Sequence, residues 1–230
     1  MIRRLLVFNI RSDAAASDEN NLESEFLELP NLVRGIERYS LGRNRHPMRP
    51  DLWMCTHVWE TEFQSFQSMT SYANDQHYRA LLLRHWGSGS DQLISRAATT
   101  AYNTSSNYIN GDLLIPGRLR RLHLTNFSSS ATSELRKKAD DALLAMPNAV
   151  PQIKAWALGY NVAESVLGIP VFDHSWDTSF DSIFDLQKYV TCGYHINNTH
   201  DFVVPNSPDF IYEALHSCIY KVDPMFSGSN

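Results

Sequence analysis

Arg121, His123, His174, Tyr189 and His195 are the residues of this 230-residue chain whose side chains suit acid–base work on a small molecule. An imidazole with an ordinary pKa near 6.5 takes or gives a proton at neutral pH. A guanidinium beside it lowers that pKa and keeps the ring a neutral base. The same guanidinium can hold a carboxylate, or an oxyanion as it forms, through parallel N–H groups. A tyrosine hydroxyl relays the proton or donates to an enolate oxygen. Trp176 offers a flat wall for an aromatic or planar substrate. The set suits proton abstraction beside a carbonyl by a lyase, an isomerase or an aldol-type cyclase, with no cofactor. His174 or His195 is the expected base, Tyr189 its partner and Arg121 the anion holder, with His123 and Trp176 contacting substrate. A paler version of the set, Arg4, His57, Trp59 and Tyr72, stands earlier in the chain as a related substrate-contact group.

A duplicated domain must position these side chains. "THVWE" at 56–60 answers "DHSWD" at 173–177, a shift of 117. The same shift lays "IRRLLVFNI" from Ile2 on "LRRLHLTNF" from Leu119, and "LPNLVRGIERYSLGRN" from Leu29 on "MPNAVPQIKAWALGYN" from Met146. It carries through to Ile94 on Ile211 and Ala97 on Ala214. One ungapped offset over about a hundred residues is internal repetition, not compositional chance. The expected units are residues 1–104 and 118–224. Between them, 105–117 has the Asn, Ser, Gly and Pro chemistry of a linker, and 225–230 should fray.

In the first copy, residues 2–10 read as an apolar strand and 17–29 as an amphipathic helix stopped at Pro30-Asn31. Residues 35–43 and 52–61 read as strands, 64–74 as a helix with a further turn at 76–85, and 93–102 as the last strand. The second copy repeats the pattern. Strand–helix–strand–strand–helix–strand is an α+β order, with helices on one face of a mixed sheet. Strand alternation puts Arg4, Leu6 and Phe8 on one face, with Arg121, His123 and Thr125 as their equivalents. His57 shares a face with Trp59, and His174 with Trp176, while Glu60 and Asp177 point the other way.

The first strand, "LPNLVRGIERYSLGRN", Asp173-His174, and "YVTCGYH" from Tyr189 to His195 resemble the stress-responsive dimeric α/β-barrel (Dabb) family, twice over nearly the whole chain. The resemblance implies two tandem ferredoxin-like domains forming within one chain the pair that family members make as dimers. It also implies a cavity between sheet and helices where cofactor-free polyketide cyclases and hydroxynitrile lyases of the family work. In the cyclases a Tyr on the second helix region is followed six residues later by a His. Tyr189 and His195 keep that spacing, whereas Tyr72 is followed by Tyr78. Where the cyclases have a first-strand His, this chain has Arg4 and Arg121.

Blander readings stand beside these. The pairs Arg3-Arg4 and Arg120-Arg121 could simply pin carboxylates, the His–Trp pairs could be core, and His77, His85, His200 and His216 read as surface residues. The family also holds non-catalytic stress proteins, so a small-ligand-binding role is the alternative, and a structural assembly subunit the third. A formal charge of −5 gives no basic footprint for nucleic acid. No apolar run approaches a membrane span. The short run Leu5–Phe8 lacks a signal-peptide cleavage site, which suggests a cytoplasmic protein. Cys55, Cys192 and Cys218 lack ligand spacing and read as reduced thiols, and no metal is expected. No GxGxxG, P-loop or GxSxG is present. The expected partner is a small carbonyl-bearing, possible aromatic, substrate, with a further homodimer allowed.

Overall fold

The computed structural model describes residues 1–44, 55–87, 89, 92–104, 108–204, 207–222 and 226–227, with the backbone alone at 213–217 and 226–227. The first half runs β1 (Ile2–Ile10), α1 (Ala16–Leu32), β2 (Ile36–Arg43), β3 (His57–Phe63), α2 (Phe66–Asn74), α3 (Gln76–His85) and β4 (Ile94–Asn103), then a short β5 (Ile109–Asn110). The second runs β6 (Leu119–Phe127), α4 (Ser133–Ala149), β7 (Ala155–Tyr160), β8 (His174–Phe180), α5 (Ile183–Thr191), α6 (Gly193–Val203) and β9 (Tyr212–Lys221), then β10 (Phe226–Ser227). The sheets have the orders β10-β2-β3-β1-β4 and β5-β7-β8-β6-β9. These are two tandem ferredoxin-like domains forming a dimeric α/β-barrel-type pseudo-dimer.

Local chemistry sets the elements. Ser65 and Ser182 cap α2 and α5 by accepting from the N–H of Ser68 and Asp185, and Asp75 caps α3 through the N–H of His77. What the sequence suggested as one further turn at 76–85 is thus a capped helix of its own. Pro30 and Pro147 lie inside the last turns of α1 and α4, so α1 runs on to Leu32, past the stop expected at Pro30-Asn31. All strand pairs are antiparallel, not mixed. The offset of 117 also breaks before the last strand. Ile2 pairs with Asn103 and Leu119 with Lys221, so β4 and β9 correspond at 118. The added residue lies in α6, which has 11 residues against 10 in α3.

The halves exchange arms. β5, in the expected linker, pairs with β7 of the second sheet, and β10 pairs with β2 of the first. The tail expected to fray therefore pairs at Phe226 and Ser227. The β7–β8 connection also crosses over, with Thr99 N–H donating to Pro170 O at 2.9 Å and Phe172 N–H to Thr99 O at 3.0 Å. Cys55 and Cys218 form a disulfide between the halves, with Cα atoms 5.8 Å apart. The reduced-thiol reading therefore holds for Cys192 alone. The two cysteines are far apart in sequence and meet only because the sheets pack face to face.

That packed seam holds Leu5, Val7, Val58, Leu122 and Leu124, and at its centre a charged network. Arg120 bonds Glu60 and Asp177, with Nε 3.1 Å from Asp177 Oδ1. Arg3 bonds Glu62 at 2.9 Å and lies 3.2 Å from Glu60. The hydroxyls of Tyr102 and Tyr220 donate to Asp177 and Glu60 at 3.4 and 3.3 Å. The pinned-carboxylate reading of the arginine pairs is thus right for Arg3 and Arg120, whose side chains point into the seam. Their neighbours Arg4 and Arg121 point toward the helices.

Candidate active site

On the helix side of the second sheet, β6 supplies Arg121 and His123, β8 supplies Trp176, α5 supplies Tyr189 and α6 supplies His195. The Cys192 thiol caps α6 by accepting from the His195 N–H at 3.3 Å, which fixes where the helix begins and holds His195 in its first turn. Arg121 Nη1 donates to His195 Nε2 at 3.2 Å. That bond assigns the lone pair to Nε2 and the proton to Nδ1. The Arg121 guanidinium lies 5.1 Å from the centre of the Tyr189 ring, and the Tyr189 and His195 rings are 4.5 Å apart. Trp176 Nε1 donates to the Tyr189 hydroxyl at 3.3 Å.

The electrostatics follow from burial around an uncompensated cation. Burial, then the Arg121 charge, push the His195 pKa down to about 4. Burial, then Arg121 and His195, hold His123 well below the ordinary histidine range. Burial raises Tyr189. At neutral pH the cluster is therefore one guanidinium among neutral donors and acceptors. Arg121 also bonds the Tyr189 hydroxyl and the His195 ring meets the Val190 carbonyl, while Arg121 Nε has no hydrogen-bond partner and Arg121 no ion pair among the described residues. His123 and His195 keep part of their surface accessible.

His174 does not join this group. In the register of β6 and β8, Arg121 faces Thr178 while His174 faces Thr125, four residues further along β6 and thus roughly 13 Å away. His174 is 3.5 Å from Asp140 Oδ1, with Thr125 Oγ1 at 3.3 Å and Tyr212 Oη at 3.4 Å from its Nδ1. The rings of Phe127, Tyr160 and Tyr212 surround it. His57 has the matching place in the first half, where its Nε2 lies 2.8 Å from Glu23 and its ring stacks on Phe8. Burial lowers the His57 pKa against the pull of Glu23. Glu19, Glu23 and His57 bring three potential ligand atoms within 4.8 Å of one another, but the Arg43 guanidinium is bonded to Glu23 and lies 3.9 Å from Glu19. The sequence reading missed Glu23, Asp140, Tyr160 and Tyr212. Glu23 and Asp140 stand 117 apart, like the histidines they meet, which was the available signal.

The first half keeps the plan and buries it completely. Arg4 Nη1 donates to Tyr78 Oη at 2.8 Å, Trp59 Nε1 donates to Tyr72 Oη at 2.9 Å, and the two tyrosine rings are 4.4 Å apart. Arg4 is 2% exposed and Tyr72 and Tyr78 are 0%. Position by position, Leu6, Phe8, Phe26, Tyr78, Leu81 and Leu82 stand where the second half has His123, Thr125, Leu143, His195, Asn198 and Thr199. Val166 and Ile169 of the β7–β8 connection pack into the same core. Arg4, His57, Trp59 and Tyr72 are thus parts of a filled interior. Of the remaining histidines, His77 and His200 are exposed as expected, His85 is buried beside Glu25 at 3.1 Å, and the His216 side chain lies outside the described residues.

No family model and no curated protein matches the chain. Solved structures do. An anthrone oxidase-like protein aligns over 100% of this chain and 94% of its own, with a TM-score of 0.69 at 10% identity. A chlorite dismutase, so named provisionally, aligns over 97% of this chain and 94% of its own, at 0.58 and 11%. A provisionally named monooxygenase from Fusobacterium nucleatum aligns over 100% and 95%, at 0.57 and 9%. At such identities the likeness is one of fold. Among the described residues no helix is long and apolar enough to cross a membrane.

Proposed function

We propose that the second cavity is the active site of a cofactor-independent enzyme of the stress-responsive dimeric α/β-barrel type, a lyase or cyclase/isomerase acting on a compact carbonyl-bearing substrate. The observation that carries this reading is the meeting of Arg121, Tyr189 and His195 at a place where His195 and the nearby His123 keep part of their surface exposed, while their first-half counterparts Tyr78 and Leu6 are fully buried. With the substrate against Trp176 and His123, His195 Nε2 takes a proton from the carbon beside the carbonyl. The C–H electron pair becomes the enolate double bond, and the oxygen gains the charge. Arg121 and the Tyr189 hydroxyl donate to that oxygen. Tyr189 already accepts from Trp176, so its own proton is free to be given. Collapse of the enolate expels a leaving group or attacks a second carbonyl, and His195 returns the proton. His195 rather than His174 is the base in this scheme, because His174 is walled off by three rings.

The test is hydrogen–deuterium exchange at the α-carbon of a panel of ketones, aldehydes and β-keto acids in D2O, followed by NMR. Exchange above the solvent rate should fall by on the order of a hundredfold or more in His195→Ala and Tyr189→Phe. Exchange unchanged in His195→Ala would remove the base. Absence of exchange across the panel would favour the alternative, a non-catalytic small-ligand-binding protein of the same fold.

A further inference from the structure

We propose that the second cavity receives its substrate as a carboxylate or another planar oxyanion, and that the arriving anion takes Arg121 from Nε2 of His195 and so unmasks the base. The inference rests on the preceding reading of the site and adds its substrate class and its trigger.

The geometry behind it is a contrast within one strand. Arg120 and Arg121 are both buried, at 0% and 9% exposure. Arg120 meets two carboxylates, while Arg121 meets a neutral imidazole and the face of a phenol. A buried guanidinium without a counter-ion is costly in the folded chain, and an anionic ligand relieves that cost. Arg121 Nε–H has no acceptor, while Nη1 is held by His195 and the Tyr189 hydroxyl takes a further bond, so the donor fork is open at Nε. A carboxylate carries a full negative charge and takes two parallel guanidinium bonds, whereas the imidazole offers one neutral nitrogen, so a carboxylate outcompetes the imidazole for the guanidinium protons. Nε2 is then left with a free lone pair inside the cavity. The charged or titratable groups around His195 are Arg121 and His123 from β6, Tyr189 from α5 and Cys192 at the start of α6. Tyr189, held protonated by burial, brings no negative charge to the resting cluster to substitute for the ligand.

The experiment compares benzoate with its neutral isostere benzamide by titration calorimetry at pH 7, with the histidine side-chain nitrogens followed by 15N NMR. The wild-type chain should bind benzoate at least about tenfold tighter than benzamide. Arg121→Met should erase the difference and Arg121→Lys should keep part of it. Benzoate, but not benzamide, should shift the His195 Nε2 resonance and raise the pH at which that ring titrates. Equal binding of the two compounds, or binding of neither, overturns the anionic substrate class. Benzoate binding that survives in Arg121→Met overturns the assignment to Arg121, and binding without any change at His195 overturns the unmasking. These results are separate from catalysis, because exchange of neutral ketones in D2O would continue if only the anion inference were wrong.

Discussion

The seam between the sheets and the cavity behind the second sheet are lined from the same strand by adjacent arginines, and they treat charge in opposite ways. In the seam, Arg3 and Arg120 are interleaved with Glu60, Glu62 and Asp177, and two tyrosine hydroxyls take up remaining lone pairs. In the cavity, Arg121 stands among neutral groups. The seam joins the halves through the Arg120–Glu60 pair, and each carboxylate in it meets at least one guanidinium. The unmatched charge on Arg121 lies beside partly exposed His195, where an anion could reach it. In the first half Arg4 also lacks an ion pair among the described residues, and it is enclosed by two tyrosine rings and one hydroxyl, with Nη2 left without a partner.

The contrast is broken most directly by stability measurements on both sides of the strand. Asp177→Ala leaves Arg120 with Glu60 alone in the buried seam and should cost on the order of 3–5 kcal/mol in urea denaturation. Arg121→Met, one strand position from Arg120, should cost less than about 1 kcal/mol or be stabilising, while abolishing anion binding. Equal costs would mean that Arg121 is structural like its neighbour. A smaller effect separates the two cavities. Tyr72→Phe retains an aromatic ring but still packs against Trp59 Nε1, whose bond to the hydroxyl is 2.9 Å in a fully closed core, so about 1–3 kcal/mol should be lost. Tyr189→Phe disturbs a longer bond of 3.3 Å and should cost less in stability than in exchange activity. The reverse order would make the second cavity a packed core and the first the open one.

The duplication, the α+β order and the face on which each arginine lies were all legible, because hydrophobic alternation and self-similarity are local properties of a chain. Alternation put Glu60 and Asp177 opposite Trp59 and Trp176, but it could not show that they would find Arg120 between two sheets. Position along a strand was harder to read than face. Grouping His174 with His195 ignored antiparallel pairing, which sets the start of β6 against the end of β8 and sends the two histidines to different ends of the sheet. The arm exchange, the Cys55–Cys218 pairing and the filling of the first cavity by Val166 and Ile169 all depend on contacts between halves, which no window along the sequence contains.

The smallest effect concerns protons. His195 has its folded pKa held near 4, below the ordinary value of about 6.5, so folding favours the neutral ring. Its contribution to stability is present above about pH 6.5, where folded and unfolded chains both carry it neutral, and it is lost as pH falls from there toward 4, where the unfolded chain binds the proton first. The first-half counterpart is Tyr78, which carries no imidazole to protonate in that window. Urea midpoints of wild type and His195→Gln at pH 7.5 and pH 5 should therefore differ, with the variant losing less on acidification. His57 and His123 are lowered too, and they remain in the variant, so part of the wild-type slope should persist. Water reaches the His195 ring, which makes the difference modest. An identical slope in both proteins would mean that His195 is solvated as in the unfolded chain, and the cavity would then be a surface groove rather than the desolvated site in which a neutral base and a lone guanidinium wait for an anion.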